Sequence, residues 1–144
     1  VVSQSPDSIF ALGIGDTLAD HVFEDLDEQP VRLSDLVVGN MLISVVMPTC
    51  ESCLDEMLYI RDQVDHPDDY RHLVFITSAN PRFMRDIKEE TGLTATFLYD
   101  HRAAYLSRYF VEAYPLNIVI VANMVVLDIF GGGLTQTDLA KVLE

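Results

Sequence analysis

The chain predicts an α/β fold with a mixed central sheet flanked by helices. Short continuous apolar runs rich in β-branched residues recur at MLISVV (residues 41–46), LVFITS (73–78) and NIVIVA (117–122). Helical periodicity follows each of the first two runs, whereas the third is followed by a tight turn, another apolar run and a capped segment. A length of 144 residues fits one domain, residues 1–144, able to bury a core without disulfides.

The polar start, VVSQSPDS (residues 1–8), is expected to be disordered. In FEDLDEQPVRL, strand-like ends surround turn residues, so Val22-Phe23 and Val31–Leu33 predict a small N-terminal β-hairpin, with a short turn at LSDL. MLISVV reads as a strand covered on both faces and ended by Pro48. From Cys50 to about Val64, Cys53, Met57, Ile60 and Val64 fall on one helical stripe. After the strand LVFITS, Asn80 can cap a helix with Pro81 at its first position. Phe83, Met84 and Ile87 form its apolar face and Gly92 its end.

TATFLY gives a further strand, and Asp100 can cap a helix through Ala104, Leu106 and Tyr109 to about Phe110. NIVIVA and MVVLDIF read as an antiparallel hairpin about Ala122-Asn123, asparagine supplying the positive φ such turns need. Gly131 to Gly133 break the strand, and Thr135 with Asp138 opens a last helix, TDLAKVLE.

A net charge of -14 with only 9 lysines and arginines excludes a nucleic-acid binder, whose affinity comes largely from cations on phosphates. It disfavours anionic membrane surfaces for the same reason and hints at a basic partner surface. No apolar run approaches the ~20 residues of a membrane span, so the domain itself is expected to be soluble. The chain opens on Val1 rather than methionine, which raises the expectation of a removed signal, anchor or tag.

Chemistry concentrates in MPTCESCLDEM, residues 47–57. In a C-x-x-C at a helix start, unpaired backbone N–H groups and the dipole stabilise a thiolate on the first sulfur, and the second lies within disulfide reach. That assigns Cys50 as nucleophile and Cys53 as the thiol that resolves a mixed disulfide. Glu51 opposes the thiolate, but an exposed charge ~7 Å away costs only ~0.6 kcal/mol in water, so the helix prevails. Glu56, one turn past Cys53 and flanking the apolar stripe, has two readings. It is either a solvated helix glutamate or a partly desolvated carboxyl that exchanges a proton with Cys53.

Two metal readings compete. Cys50, Cys53, His66 and His72 reproduce the C-x2-C-x12-H-x5-H spacing of a zinc finger. A finger, however, carries its cysteines on a hairpin and both histidines on one helix, whereas here the helix begins at the cysteines and Pro67 follows His66. No metal site is therefore assigned to these four residues. A Cu(I) site using the two thiols with a methionine or histidine, Met47 and Met57 being near in sequence, stays open as an alternative binding role without turnover.

The same residues resemble the thioredoxin-like thiol-disulfide oxidoreductases, in particular the extracytoplasmic, often membrane-tethered TlpA/ResA-like branch related to the alkyl hydroperoxide reductase and thiol-specific antioxidant group. GDTLADHVFEDLDEQPVRLSDL is similar to that group's opening, MLISVVMPTCESCLDEM to its central strand and active-site helix, and EAYPLNIVIVANMVVLDIFGGGLTQTDLAKVL to its proline loop, final hairpin and last helix. The resemblance implies a thioredoxin fold with an N-terminal β-hairpin extension and an insertion at residues 92–113. It implies a cis-proline at Pro115, with Tyr114 before it in contact with substrate. Cys50, Glu51, Cys53 and Glu56 match the C-E-x-C-x-x-E pattern of the reductase branch, implying a pair tuned for reduction with Glu56 buried behind it.

The implied activity is reduction or exchange of disulfides in protein partners, without a bound cofactor, served by an upstream redox partner. The implied setting is periplasmic, with a role in redox homeostasis and cytochrome c maturation. Thr49 stands where the family has tryptophan, and Ser52 where it often has proline, which alters the surface and the redox tuning around Cys50. The peroxiredoxin pocket needs a proline seven residues, and a threonine or serine three residues, before its cysteine. Cys50 has Ile43 and Met47 there, and Cys53 has Val46 and Cys50.

Overall fold

The computed structural model describes residues 12–109, 111 and 113–143. The segment expected to be disordered, residues 1–8, lies outside them. Two strands, β1 (Val22–Asp25) and β2 (Pro30–Arg32), form the expected N-terminal hairpin, with Phe23 opposite Val31. The Asp25 carboxylate accepts from the N–H groups of Asp27 (2.8 Å) and Gln29 (3.0 Å), an Asx-type turn that closes the connection. One helical turn, α1 (Leu33–Leu36), follows at LSDL.

The centre alternates as the apolar runs require: β3 (Met41–Val45), α2 (Glu51–Gln63), β4 (Leu73–Thr77), α3 (Pro81–Thr91) and β5 (Thr96–Tyr99). The antiparallel pair β6 (Leu116–Ile120) and β7 (Val126–Phe130) and the short α4 (Gln136–Ala140) complete the chain. The strands join in one seven-stranded sheet of order β2-β1-β5-β4-β3-β6-β7. β3, β4 and β5 run parallel, and the remaining pairings are antiparallel. This is the thioredoxin-like mixed sheet, with β5, from within residues 92–113, joining the N-terminal hairpin to the core.

Side chains along β3 alternate between two cores, as the pleat dictates. Met41, Ile43 and Val45 enter one, with Val74, Ile76, Ile118 and the aromatic side chains of Phe23, Tyr105 and Tyr109. Leu42 and Val46 enter the other, packed under Cys53, Met57 and Ile60 of α2, Met84 of α3 and Leu139 of α4. Helices α2, α3 and α4 thus cover one face. The other is covered by the N-terminal segment and residues 105–109.

That second cover differs from the expected helix at 100–110. Residues 101–103 and 106–109 form separate 3-10 turns, with Arg102 and Ala103 at positive φ (54° each). Asp100 still acts as a cap, but for the loop: its buried carboxylate accepts from Tyr105 N–H and Leu106 N–H, both at 2.9 Å. Three smaller differences follow from local geometry. Phe83 faces solvent, leaving Met84 and Ile87 to pack. The positive φ of the last hairpin falls on Met124 (67°) rather than Asn123, because its N–H closes a turn onto Val121 C=O (2.8 Å). The Thr135/Asp138 capping box forms, but the helix it opens ends at Ala140.

Candidate active site

Cys50 is the residue before α2, in extended conformation (φ -94°, ψ 111°), and its sulfur takes the place of a capping oxygen. The Sγ accepts from Cys53 N–H at 3.1 Å, so a backbone donor of the first helical turn is aimed at the Cys50 sulfur. The backbone C=O of Cys50 accepts from Cys53 N–H and Leu54 N–H, both at 3.1 Å, fixing the cap. On its other side the thiol donates to Tyr114 C=O at 3.5 Å.

Tyr114-Pro115 is a cis peptide bond, as the resemblance implies. Pro115 is buried and Tyr114 half-buried, packed against both cores. Cys50 is half-buried, whereas Cys53, on the inner face of α2, is fully buried; both are free thiols. Burial pushes the Cys53 thiol up to about 12, helped by its hydrogen bond with Cys50 and by the charges of Cys50 and Glu56. Thr49 precedes the pair and Glu51 lies within it, and both are exposed.

Glu56 lies inside, only 5% exposed, which removes the solvated reading. Beneath it Ser44 of β3 and Asn117 of β6 stand directly opposite each other across the antiparallel pair, both pointing to the α2 face. Ser44 Oγ donates to Glu56 Oε2 and Asn117 Nδ2 to Glu56 Oε1, each at 2.6 Å. Desolvation raises the carboxyl above its ordinary value, and the two hydrogen bonds partly counter this. Glu56 also lines a cleft of about 360 Å³ with Ser52, Asp55, Tyr59, Gly133 and Leu134.

Ser44 and Asn117 were not singled out in the sequence. The available signal was that each is the polar residue inside an otherwise apolar strand, at LIS and LNIV. The zinc-like spacing dissolves in three dimensions. β3 and β4 are parallel, so His72, just before β4, and Cys50, beyond the end of β3, lie at opposite ends of the sheet. His72 Nδ1 instead pairs with Asn40 C=O at 2.9 Å. Met57 is fully buried in the core under α2, and the Met47 sulfur receives the hydroxyls of Thr77 (3.8 Å) and Ser78 (3.6 Å).

Comparison with known proteins places this geometry in context. The redoxin family model matches residues 14–143. The thiol-disulfide oxidoreductase ResA of Geobacillus thermodenitrificans is 28% identical over 138 residues, covering 93% of this chain and 78% of ResA. Among solved structures, the thioredoxin domain of a thiol-disulfide oxidoreductase from Bacteroides vulgatus superposes with a TM-score of 0.74 at 17% identity, over 91% of this chain and 95% of that one. The peroxidoxin BcpB from Mycobacterium tuberculosis superposes with a TM-score of 0.71 at 20% identity, over 89% and 91%. These structural likenesses establish the fold; the chemistry follows from the side chains.

Proposed function

The chain belongs to the redoxin family, and from that premise we propose that Cys50 and Cys53 reduce or exchange disulfides in protein partners. The observation that carries this is the asymmetry of the pair. Cys50 Sγ sits half-exposed on a helix N–H, while Cys53 is buried and held as a thiol by its surroundings.

Cys50 thiolate attacks one sulfur of a partner disulfide, forming a mixed disulfide and releasing the first partner thiolate, which takes a proton from solvent. Cys53 then loses its proton and attacks Cys50 Sγ. The mixed disulfide breaks, the second partner thiolate leaves, and Cys50–Cys53 closes as a disulfide. Two electrons pass to the partner, and a separate upstream dithiol returns them.

Glu56, one turn from Cys53, accepts the Cys53 proton and passes it to the adjoining cleft. The Tyr114-Pro115 segment binds the partner's extended backbone, displacing the Cys50–Tyr114 hydrogen bond. Thr49 and Glu51 shape the rim that the partner meets. The peroxidase alternative lacks support at Ile43 and Met47, which stand where a peroxide pocket needs proline and threonine. The copper alternative is weakened by the engagement of Met47 and Met57 elsewhere.

Residues 1–144 act as one domain in this reading, outside the cytoplasm and in a periplasmic or equivalent compartment, where the ResA resemblance also suggests a part in cytochrome c maturation. Among the described residues no helix is long and apolar enough to cross a membrane, so tethering would need a segment beyond them. The test uses two variants. C50S should abolish reduction of a disulfide-bonded test protein such as insulin, and C53S should accumulate a covalent mixed disulfide. Undiminished turnover by C50S would overturn the proposal.

A further inference from the structure

Glu56 meets the sheet through Ser44 and Asn117, and the Asn117 amide has a second commitment. Its Nδ2 donates both to Glu56 Oε1 (2.6 Å) and to the backbone C=O of Gly131 (2.9 Å), leaving Oδ1 buried with no partner among the described residues. Turning the amide over would aim Oδ1 at two acceptors, so leaving Oδ1 unpaired is the better compromise. Gly131 C=O therefore locks the amide with its donor toward the carboxylate. A proton on Oε1 would collide with that N–H, which leaves Oε2, facing the Ser44 hydroxyl, as the oxygen able to take one. A hydroxyl can reverse its role, donating to the carboxylate and accepting from the acid.

We propose that Ser44 and Asn117 are positioning residues for thiol-disulfide exchange: Asn117, held by Gly131 C=O, favours the carboxylate form of Glu56 and orients it as the base for Cys53, and Ser44 marks Oε2 as the oxygen that receives the proton. This rests on the reading of Glu56 as that base. In the resolving step the Cys53 S–H proton moves to Glu56 Oε2, the Cys53 thiolate forms its bond to Cys50 Sγ, and the partner sulfur leaves with the electron pair of the broken bond. Of the titratable groups around Glu56, Cys53 feels its charge, Asp55 and Tyr59 of its own helix line the same cleft, and Cys50 stands at the helix start. Among the described residues, β3 and β6 contact it through the Ser44 hydroxyl and the Asn117 amide, and Gly133 and Leu134 of the last loop line its cleft.

The two thiol steps separate when the reduced protein is mixed rapidly with the aromatic disulfide dithionitrobenzoate. The first thionitrobenzoate released reports attack by Cys50, the second resolution by Cys53. Resolution slows as pH falls and Glu56 takes its proton, so the second phase has an acid limb. Each donor removed destabilises the carboxylate, and S44A and N117A should each move that limb upward by about one pH unit while leaving the first phase within about twofold. S44A removes one buried oxygen and keeps the strand, so the outcome does not depend on N117A folding. E56Q separates the two ideas. If E56Q keeps the wild-type limb, Glu56 is not the base and its reading fails. If E56Q loses the limb while S44A and a folded N117A leave it in place, the positioning roles fail alone.

Discussion

Glu56 shows how much a single side chain depends on what lies beneath it. On the helix surface it would be one of many acidic residues; buried over the sheet it prefers its proton more than a free glutamate does, an effect of desolvation that its hydrogen bonds from Ser44 and Asn117 only partly offset. The linkage has a definite sign. The folded state holds a proton here to higher pH than the unfolded chain, whose carboxyl titrates near 4.5. The resulting stability is complete below that value and is lost as pH rises through the raised folded value. E56Q should therefore gain stability over the wild type at about pH 8, and the gain should shrink toward acid. Urea unfolding at both pH values measures it, and a gap that widens toward acid would contradict the assignment. The buried Cys53 thiol, held up to about 12, adds a second loss of the same sign in alkali.

At the scale of elements, the segment between α3 and β6 has the most to teach. It supplies β5, which bridges β4 and the hairpin, and then covers one sheet face without a regular helix. Asp100 organises it by accepting two buried backbone N–H groups, and Tyr105 and Tyr109 pin it to Ala19. Tyr105 donates to the Ala19 C=O, and the Tyr109 hydroxyl accepts from Ala19 N–H at 2.8 Å. Tyr105, Phe23 and Tyr109 meet edge-on, with centroids 5.0 and 5.4 Å apart. D100A should cost about 3 kcal/mol, since it removes two charge-assisted bonds and orphans both donors. Y105F, losing the hydroxyl and its bond to Ala19 C=O while keeping the packed ring, should cost about 1 kcal/mol. Chemical denaturation checks both, and equal costs would contradict these roles.

The same segment explains why some elements were legible in the sequence and others were not. β3, β4 and β6 announced themselves because strands buried on both faces are predominantly apolar. α3 did so because Asn80, Pro81 and Gly92 punctuate it; Asn80 Oδ1 accepts from Arg82 N–H (2.8 Å) and Gly92 takes φ 75°. Asp100 was legible as a cap, but its backbone partners lie five and six residues on, a loop closure that local periodicity cannot distinguish from a helix start. In the site, Cys50 and Cys53 were visible from spacing alone, and Pro115 only through family resemblance. Ser44 and Asn117 stayed hidden because their pairing depends on strand register, a long-range property.

For the whole molecule, the net charge of -14 acts on partners more than on the fold. Glu51 and Asp55, in the first turns of α2, are exposed, so the surface near the cysteines carries negative charge. A cationic disulfide such as cystamine should be reduced faster than anionic oxidised glutathione at low salt, and the ratio should fall severalfold by about 0.5 M salt as the charges are screened. A ratio independent of salt would show that the charge does not steer encounter.

The central claim is that Cys50 and Cys53 form one reversible two-electron couple on the reducing side. Equilibrating the protein in dithiothreitol or glutathione buffers, with quantification of free thiols, tests it most directly. The account predicts a single two-electron transition more negative than about -200 mV, in the region of the thioredoxins and glutaredoxins. No Cys50–Cys53 disulfide at any poise, or a midpoint near the roughly -120 mV of strong oxidants, would contradict it.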